Sequence, residues 1–180
     1  RKKAPSDWYI LLLNEVDRQM TAAGMRQKIV FLLYVDLLWP PVRETLANPD
    51  RFILMFAPIT RTYSASMAEA EEFDEKKLPA YVRNHLSFPQ SVSENVAWLR
   101  QWQKQISCDS FDFDYHYMWD HYNDPGYYRM AEVLLKDIRG LEKIGLNGLV
   151  SCQPQRTWFP TGLGMNIMAQ ALWDENFDYE

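Results

Sequence analysis

The chain has 180 residues, 47% of them hydrophobic, which is enough for one well-formed core and a single domain over 1–180. Its net charge of -5, with Lys and Arg scattered, excludes the basic stripe of a duplex nucleic-acid surface and disfavours an anionic polymer as partner. No apolar run reaches the about 18 residues that span a bilayer, and the opening RKKAPSDWY lacks the apolar core of a signal peptide, so the compartment stays open.

Ser6 and Asp7 precede Trp8, Leu11, Leu12, Val16 and Met20 at helical spacing, which predicts a helix ending near Gly24. Lys28 to Leu38 (KIVFLLYVDLL) and Arg51 to Ile59 (RFILMFAPI) are apolar almost throughout, as expected of parallel strands covered on both sides. The connection Arg43 to Asp50 is short. Ser64 to Gln90 is polar and acidic and reads as a long loop, either a lid or a surface excursion. Ser91 with Glu94 is a capping-box pair that starts a helix through Ile106. Phe111, Phe113, Tyr115, Tyr117 and Trp119 then alternate with Asp112, Asp114, His116, Met118 and Asp120, the period-2 pattern of a strand. Asp124, Pro125 and Gly126 open the next helix, whose stripe is Met130, Val133, Leu134, Ile138 and Leu141, with Gly145 at its end. Asn147 to Gln153 is a short strand, and Leu163 to Trp173 a last amphipathic helix.

Cys108 and Cys152 have no metal spacing and read as free thiols. Strands alternating with helices predict a parallel α/β architecture. A doubly wound nucleotide binder needs a glycine-rich turn after its first strand, and this one runs into WPPVRE instead. Nothing else calls for a cofactor. A barrel gathers its chemistry at strand C-termini. Those ends carry Tyr34, Asp36 and Trp39; Arg61 and Tyr63; Asp114, His116, Trp119 and Asp120; then Gln153, Arg156 and Trp158. A full barrel needs about 250 residues and eight strands, so the expected fold is the C-terminal half of a (β/α)8 TIM-type barrel, about four parallel β/α units, with the remainder in the same chain or in another copy.

The segments SDWYILLLNEV, KIVFLLYVDLLWPP, YVRNHLSFPQSVSENVAWLRQWQ and GMNIMAQALWDENFD resemble a bacterial family of glycoside-hydrolase-like barrels catalogued as a domain of unknown function. That family is similar in layout to hexosaminidase and α-glucuronidase barrels. The ALWD after the last helix and the strand-end YxxxxxPP carry most of the likeness. The resemblance implies a barrel that acts on or binds a polysaccharide or oligosaccharide. It also implies that these are strands five to eight, with the general acid upstream at the end of the fourth.

Glycoside cleavage uses two carboxyl groups. From this chain Asp114 is the first candidate, Asp120 the second and Asp36 the third, with His116 placed to share a proton with Asp114 if both face the lumen. Tyr34, Trp39, Tyr117, Trp119 and Trp158 are candidate sugar platforms or contacts, and Arg61 and Arg156 could grip a uronate carboxylate. One alternative is a metal-dependent hydrolase with Asp112, Asp114, His116, Asp120 and His121 as ligands. Another is a carbohydrate-binding barrel without catalysis.

Overall fold

Short apolar segments separated by helices form a four-stranded parallel sheet in this computed structural model, which describes residues 4–118, 123–152, 158 and 161–179. The strands are β1 (Ile29–Leu33), β2 (Phe52–Phe56), β3 (Asp109–Asp114) and β4 (Leu149–Ser151), hydrogen-bonded in the order β1-β2-β3-β4. The helices are α1 (Pro5–Ala22), α2 (Val92–Gln105), α3 (Tyr128–Gly140) and α4 (Leu163–Trp173). Chain order and sheet order coincide.

In-register neighbours of a parallel sheet point to the same side, so pairing sorts the two faces. Leu33, Phe56, Asp112 and Leu149 form one row across the sheet. On that face Phe31, Leu33, Phe52, Leu54 and Phe56 pack against Ile10 and Leu13 of α1 and Val96, Leu99 and Trp102 of α2. Leu149 meets the cluster of α3 and α4, built on Leu134, Ile138, Ile167 and Met168. The helices therefore cover one face only. The opposite face is Val30, Leu32, Ile53, Met55, Phe111, Phe113 and Val150, half-buried except for the two valines, each 49% exposed. The expectation of strands covered on both sides is thus corrected: burial alternates along β1 and β2 although both are apolar throughout.

Several boundaries also shift, each for a local reason. α1 starts at Pro5, so Ser6 and Asp7 fall inside its first turn rather than before it, and the Asp7 carboxylate accepts the Ala4 N–H at 2.7 Å and the N–H groups of Val42, Arg43 and Glu44 at 2.9, 2.7 and 3.0 Å. Burial opposes that charge, yet the four donors hold the Asp7 pKa below the usual carboxylate range. The same bonds order the first crossover, which contains 3-10 turns (Val35–Leu38 and Pro49–Arg51) but no α-helix. β1 stops at Leu33, five residues short of the predicted end, where Val35 takes a positive φ. β3 stops at Asp114. α3 begins at Tyr128, beyond Pro125, because Asp124 caps it from outside by accepting the Met130 N–H at 2.7 Å.

The long loop packs back on α3 through Ala68. A Cβ added at Gly140 would stand 2.3 Å from the Ala68 Cβ. Gly140→Ala is therefore predicted to destabilise the fold by about 1–3 kcal/mol despite alanine's better helix propensity; urea denaturation checks this, and an unchanged midpoint would contradict the packing.

Candidate functional site

Asp112 and Asp114 lie on the helix-covered face of β3, in the rows of Phe56 and Ser151. Both are 1% exposed, and His116 just beyond them is fully buried. Their charge is answered by Asp137, which α3 projects from its apolar stripe, and by Arg61 from the loop after β2. His116 Nδ1 bonds Asp114 Oδ1, its backbone N–H donates to Asp114 Oδ2 at 3.2 Å, and its Nε2 lies 3.0 Å from Asp137 Oδ2. Arg61 Nη2 reaches the same Asp137 oxygen at 2.9 Å, while Asp137 Oδ1 accepts the Ser66 hydroxyl at 2.7 Å and the Met67 N–H at 2.6 Å. Ser151 of β4 donates to Asp114 Oδ2 at 3.2 Å. Tyr63 stands edge-on to the His116 ring at 4.8 Å and lies under the Arg61 guanidinium at 4.7 Å. Four segments are thus tied by one buried ionic knot.

The charges of its members act on one another. Burial pushes the His116 imidazole down, but the Asp114 charge and the bonds to Asp114 and Asp137 outweigh it and raise its pKa from 6.5 to about 9. Burial also works against the Asp137 carboxylate, which Arg61 and His116 nevertheless hold below its ordinary range. Asp112 goes the other way: burial and the neighbouring Asp114 raise it well above a normal carboxylate, against the pull of Arg61. At neutral pH the knot contains an imidazolium and a guanidinium, and burial together with Asp114 pushes Asp112 toward its neutral form. Such a centre ties the segments around it together.

The predicted site residues therefore fall into separate places. Asp114, His116 and Arg61 are brought together, but facing the helices rather than a lumen, so Arg61 is committed to Asp137 and is not free to grip a uronate. Trp39 is a core residue, 4% exposed, packed on Trp98 at 5.3 Å and Tyr81 at 5.6 Å with its N–H on the Pro79 carbonyl at 2.7 Å. Tyr117 is fully buried between α3 and α4, against Gly164. Neither can serve as a sugar platform without opening the core. Trp158 is 59% exposed, with its six-membered ring against Gly162. Asp36 and Tyr34 are half-buried at the tip of β1. Trp119, Asp120, His121 and Arg156 lie outside the described residues. Among the described residues no three His, Cys, Asp or Glu side chains are grouped to hold a metal ion, and both thiols are free.

Sequence reasoning misses Asp137 and Ser66. Asp137 does leave a trace: it falls four residues after Val133 and three after Leu134, a charge inside an apolar stripe. Ser66 leaves none.

At the C-terminal rim of the uncovered face, Tyr34 and Tyr115 pack with Leu32, Ile59, Phe113 and Cys152. Burial pushes the Tyr115 phenol up to about 12, with further contributions from Tyr34 and Cys152. Met130 of α3 and Tyr63 belong to the same cluster, so this rim borders the helix layer; Asp36 lies two residues beyond Tyr34. No protein-family model, curated protein or solved structure matches the chain.

Two outcomes follow for the knot. Asp137→Asn leaves a buried guanidinium and imidazolium without their shared counter-charge and should cost about 3–5 kcal/mol, measured by chemical denaturation; a loss below about 1 kcal/mol would contradict the pairing. Because the folded His116 pKa lies above its unfolded value, its contribution is complete below pH 6.5 and is lost as pH rises through about 9, a fall of about 3 kcal/mol. Asp112, also raised, acts in the same direction, favouring the folded state where it is protonated. Denaturation midpoints from pH 6.5 to 9.5 should therefore decline, and the decline should flatten in His116→Gln; a pH-independent midpoint would refute the buried imidazolium.

Proposed function

We propose that the chain supplies four β/α units of a (β/α)8 barrel whose mouth acts on a polysaccharide by carboxylate-assisted hydrolysis of a glycosidic bond. The carrying observation is the unbroken order β1-β2-β3-β4 with every helix on one face and an apolar opposite face. A doubly wound sheet reverses its order at a switch point and is covered on both sides. Closing this sheet with four more strands instead makes Val30, Leu32, Ile53, Met55, Phe111, Phe113 and Val150 the interior layers of an eight-stranded barrel. The remaining strands come from the same polypeptide or from another copy.

In that barrel the mouth receives Tyr34, Asp36 and Tyr115 from this half. Asp36 is the carboxylate we assign to the reaction, since Asp114 is consumed by His116 and Ser151. Its partner carboxyl belongs to the other half, consistent with two acids flanking the scissile bond. Tyr34 supplies a phenol edge for sugar hydroxyls, and Trp158 an exposed indole for the apolar face of a pyranose ring. The knot of Asp114, His116, Asp137 and Arg61 has a different role: it fixes the loops from which the mouth is made. A carbohydrate-binding barrel without catalysis is the second reading, favoured by the burial of Asp114 and His116.

Release of nitrophenol from a panel of aryl glycosides by the complete barrel tests the proposal. Asp36→Asn should lower turnover by about 10²–10⁴-fold with an unchanged melting temperature, whereas Asp114→Asn should lower the melting temperature. Undiminished turnover in Asp36→Asn would remove Asp36 from the chemistry. Oligosaccharide binding without any hydrolysis would establish the second reading.

A further inference from the structure

Among the described residues three non-glycine residues have positive φ: Val35 at 51°, Asn84 at 64° and Tyr127 at 66°. Asparagine tolerates this region, but a β-branched side chain there crowds the backbone. Val35 is the β-branched one, and it sits between Tyr34 and Asp36 at the end of β1.

A strained residue persists only where its surroundings over-determine it, and here they do. On the upstream side the Leu33 carbonyl accepts the Ala57 N–H at 3.0 Å, which ties the last strand residue to β2. Downstream, the Trp102 indole N–H reaches the carbonyls of Leu37 and Leu38 at 3.1 and 3.0 Å, Ser6 donates to the Trp39 carbonyl, and the Trp39 N–H is bound to Pro79. Leu38 and Trp39 are themselves buried. The chain must leave a strand fixed to β2 and enter a turn fixed to α1 and α2 within three residues, Tyr34 to Asp36, and Val35 takes the bend.

We infer that Val35 is a positioning residue whose left-handed backbone holds Tyr34 in the cluster with Tyr115 and Cys152 and turns the chain that carries Asp36 out of the sheet. An unstrained residue would let the strand run on and take Tyr34 out of that cluster. What the held tip does rests on the hydrolytic reading; how it is held does not.

Two substitutions separate strain from packing. At an ordinary position alanine is more stable than glycine, which adds disorder to the unfolded chain. At Val35 the order should invert, with Val35→Gly melting above Val35→Ala because only glycine removes the Cβ. Freed from strain, the tip should also loosen locally. Cys152 follows β4 and packs at the same rim as Tyr34, whereas Cys108 precedes β3 at the other end of the sheet. Alkylation followed by mass spectrometry should show Cys152 reacting several-fold faster in Val35→Gly than in the unsubstituted protein, with the Cys108 rate unchanged. Val35→Ala melting above Val35→Gly, or both thiols accelerating together, would overturn the inference. Failure of the hydrolytic reading shows separately, as absent aryl-glycoside turnover by the unsubstituted complete barrel, and leaves the melting order untouched.

Discussion

The carboxylate of Asp137 is the contact on which the upper end of this molecule depends. It meets Arg61, His116, Ser66 and Met67, and so joins α3 to the loops after β2 and β3. A buried carboxylate is costly unless its charge and lone pairs are answered. Here two cations stand against Oδ2 and two neutral donors bond Oδ1. The requirement works in reverse as well: Arg61 and His116 can be buried only while Asp137 is in place. A loop longer than twenty residues, which apolar contacts alone would hold loosely, thereby acquires one address on the helix layer.

That arrangement divides the strand ends by direction. The helix-facing side of β3 carries Asp112, Asp114 and Ser110, the start of the knot, while its other side carries Phe111 and Phe113. Polar residues therefore occupy the interior beneath α3, and apolar ones the face without helices. The inversion is physically sensible. An apolar open face can be covered by further apolar surface, whereas ionisable groups in that position would have to be neutralised by whatever covered them.

Much of this was legible in the residues. The helices around Leu11, Val96, Leu134 and Ile167, and the parallel class of the sheet, follow from periodicity and caps. The side to which Asp114 points does not. Period 2 separates Asp114 from Phe113, but it cannot say which of them meets the helices, because aromatic and acidic rows can each line an interior. The decision was made by Asp137, twenty-three residues downstream, through a contact that no local pattern encodes. The ends of β1 and β3 were equally hidden: Val35 and Tyr115 are strong strand formers, and tertiary anchors at Trp102, Ser6 and Asp137 override them. Trp39 and Tyr117 looked like sugar platforms for a related reason, since composition does not distinguish an aromatic ring in a mouth from one in a core.

The most direct measurement is ¹⁵N NMR of the His116 ring. If the imidazole is the buried cation between Asp114 and Asp137, both ring nitrogens carry protons at pH 8 and lose one only as the pH passes about 9. A His116 that titrates near 6.5, like an exposed histidine, would show that the knot is absent and that the strand-end carboxylates are free for other work.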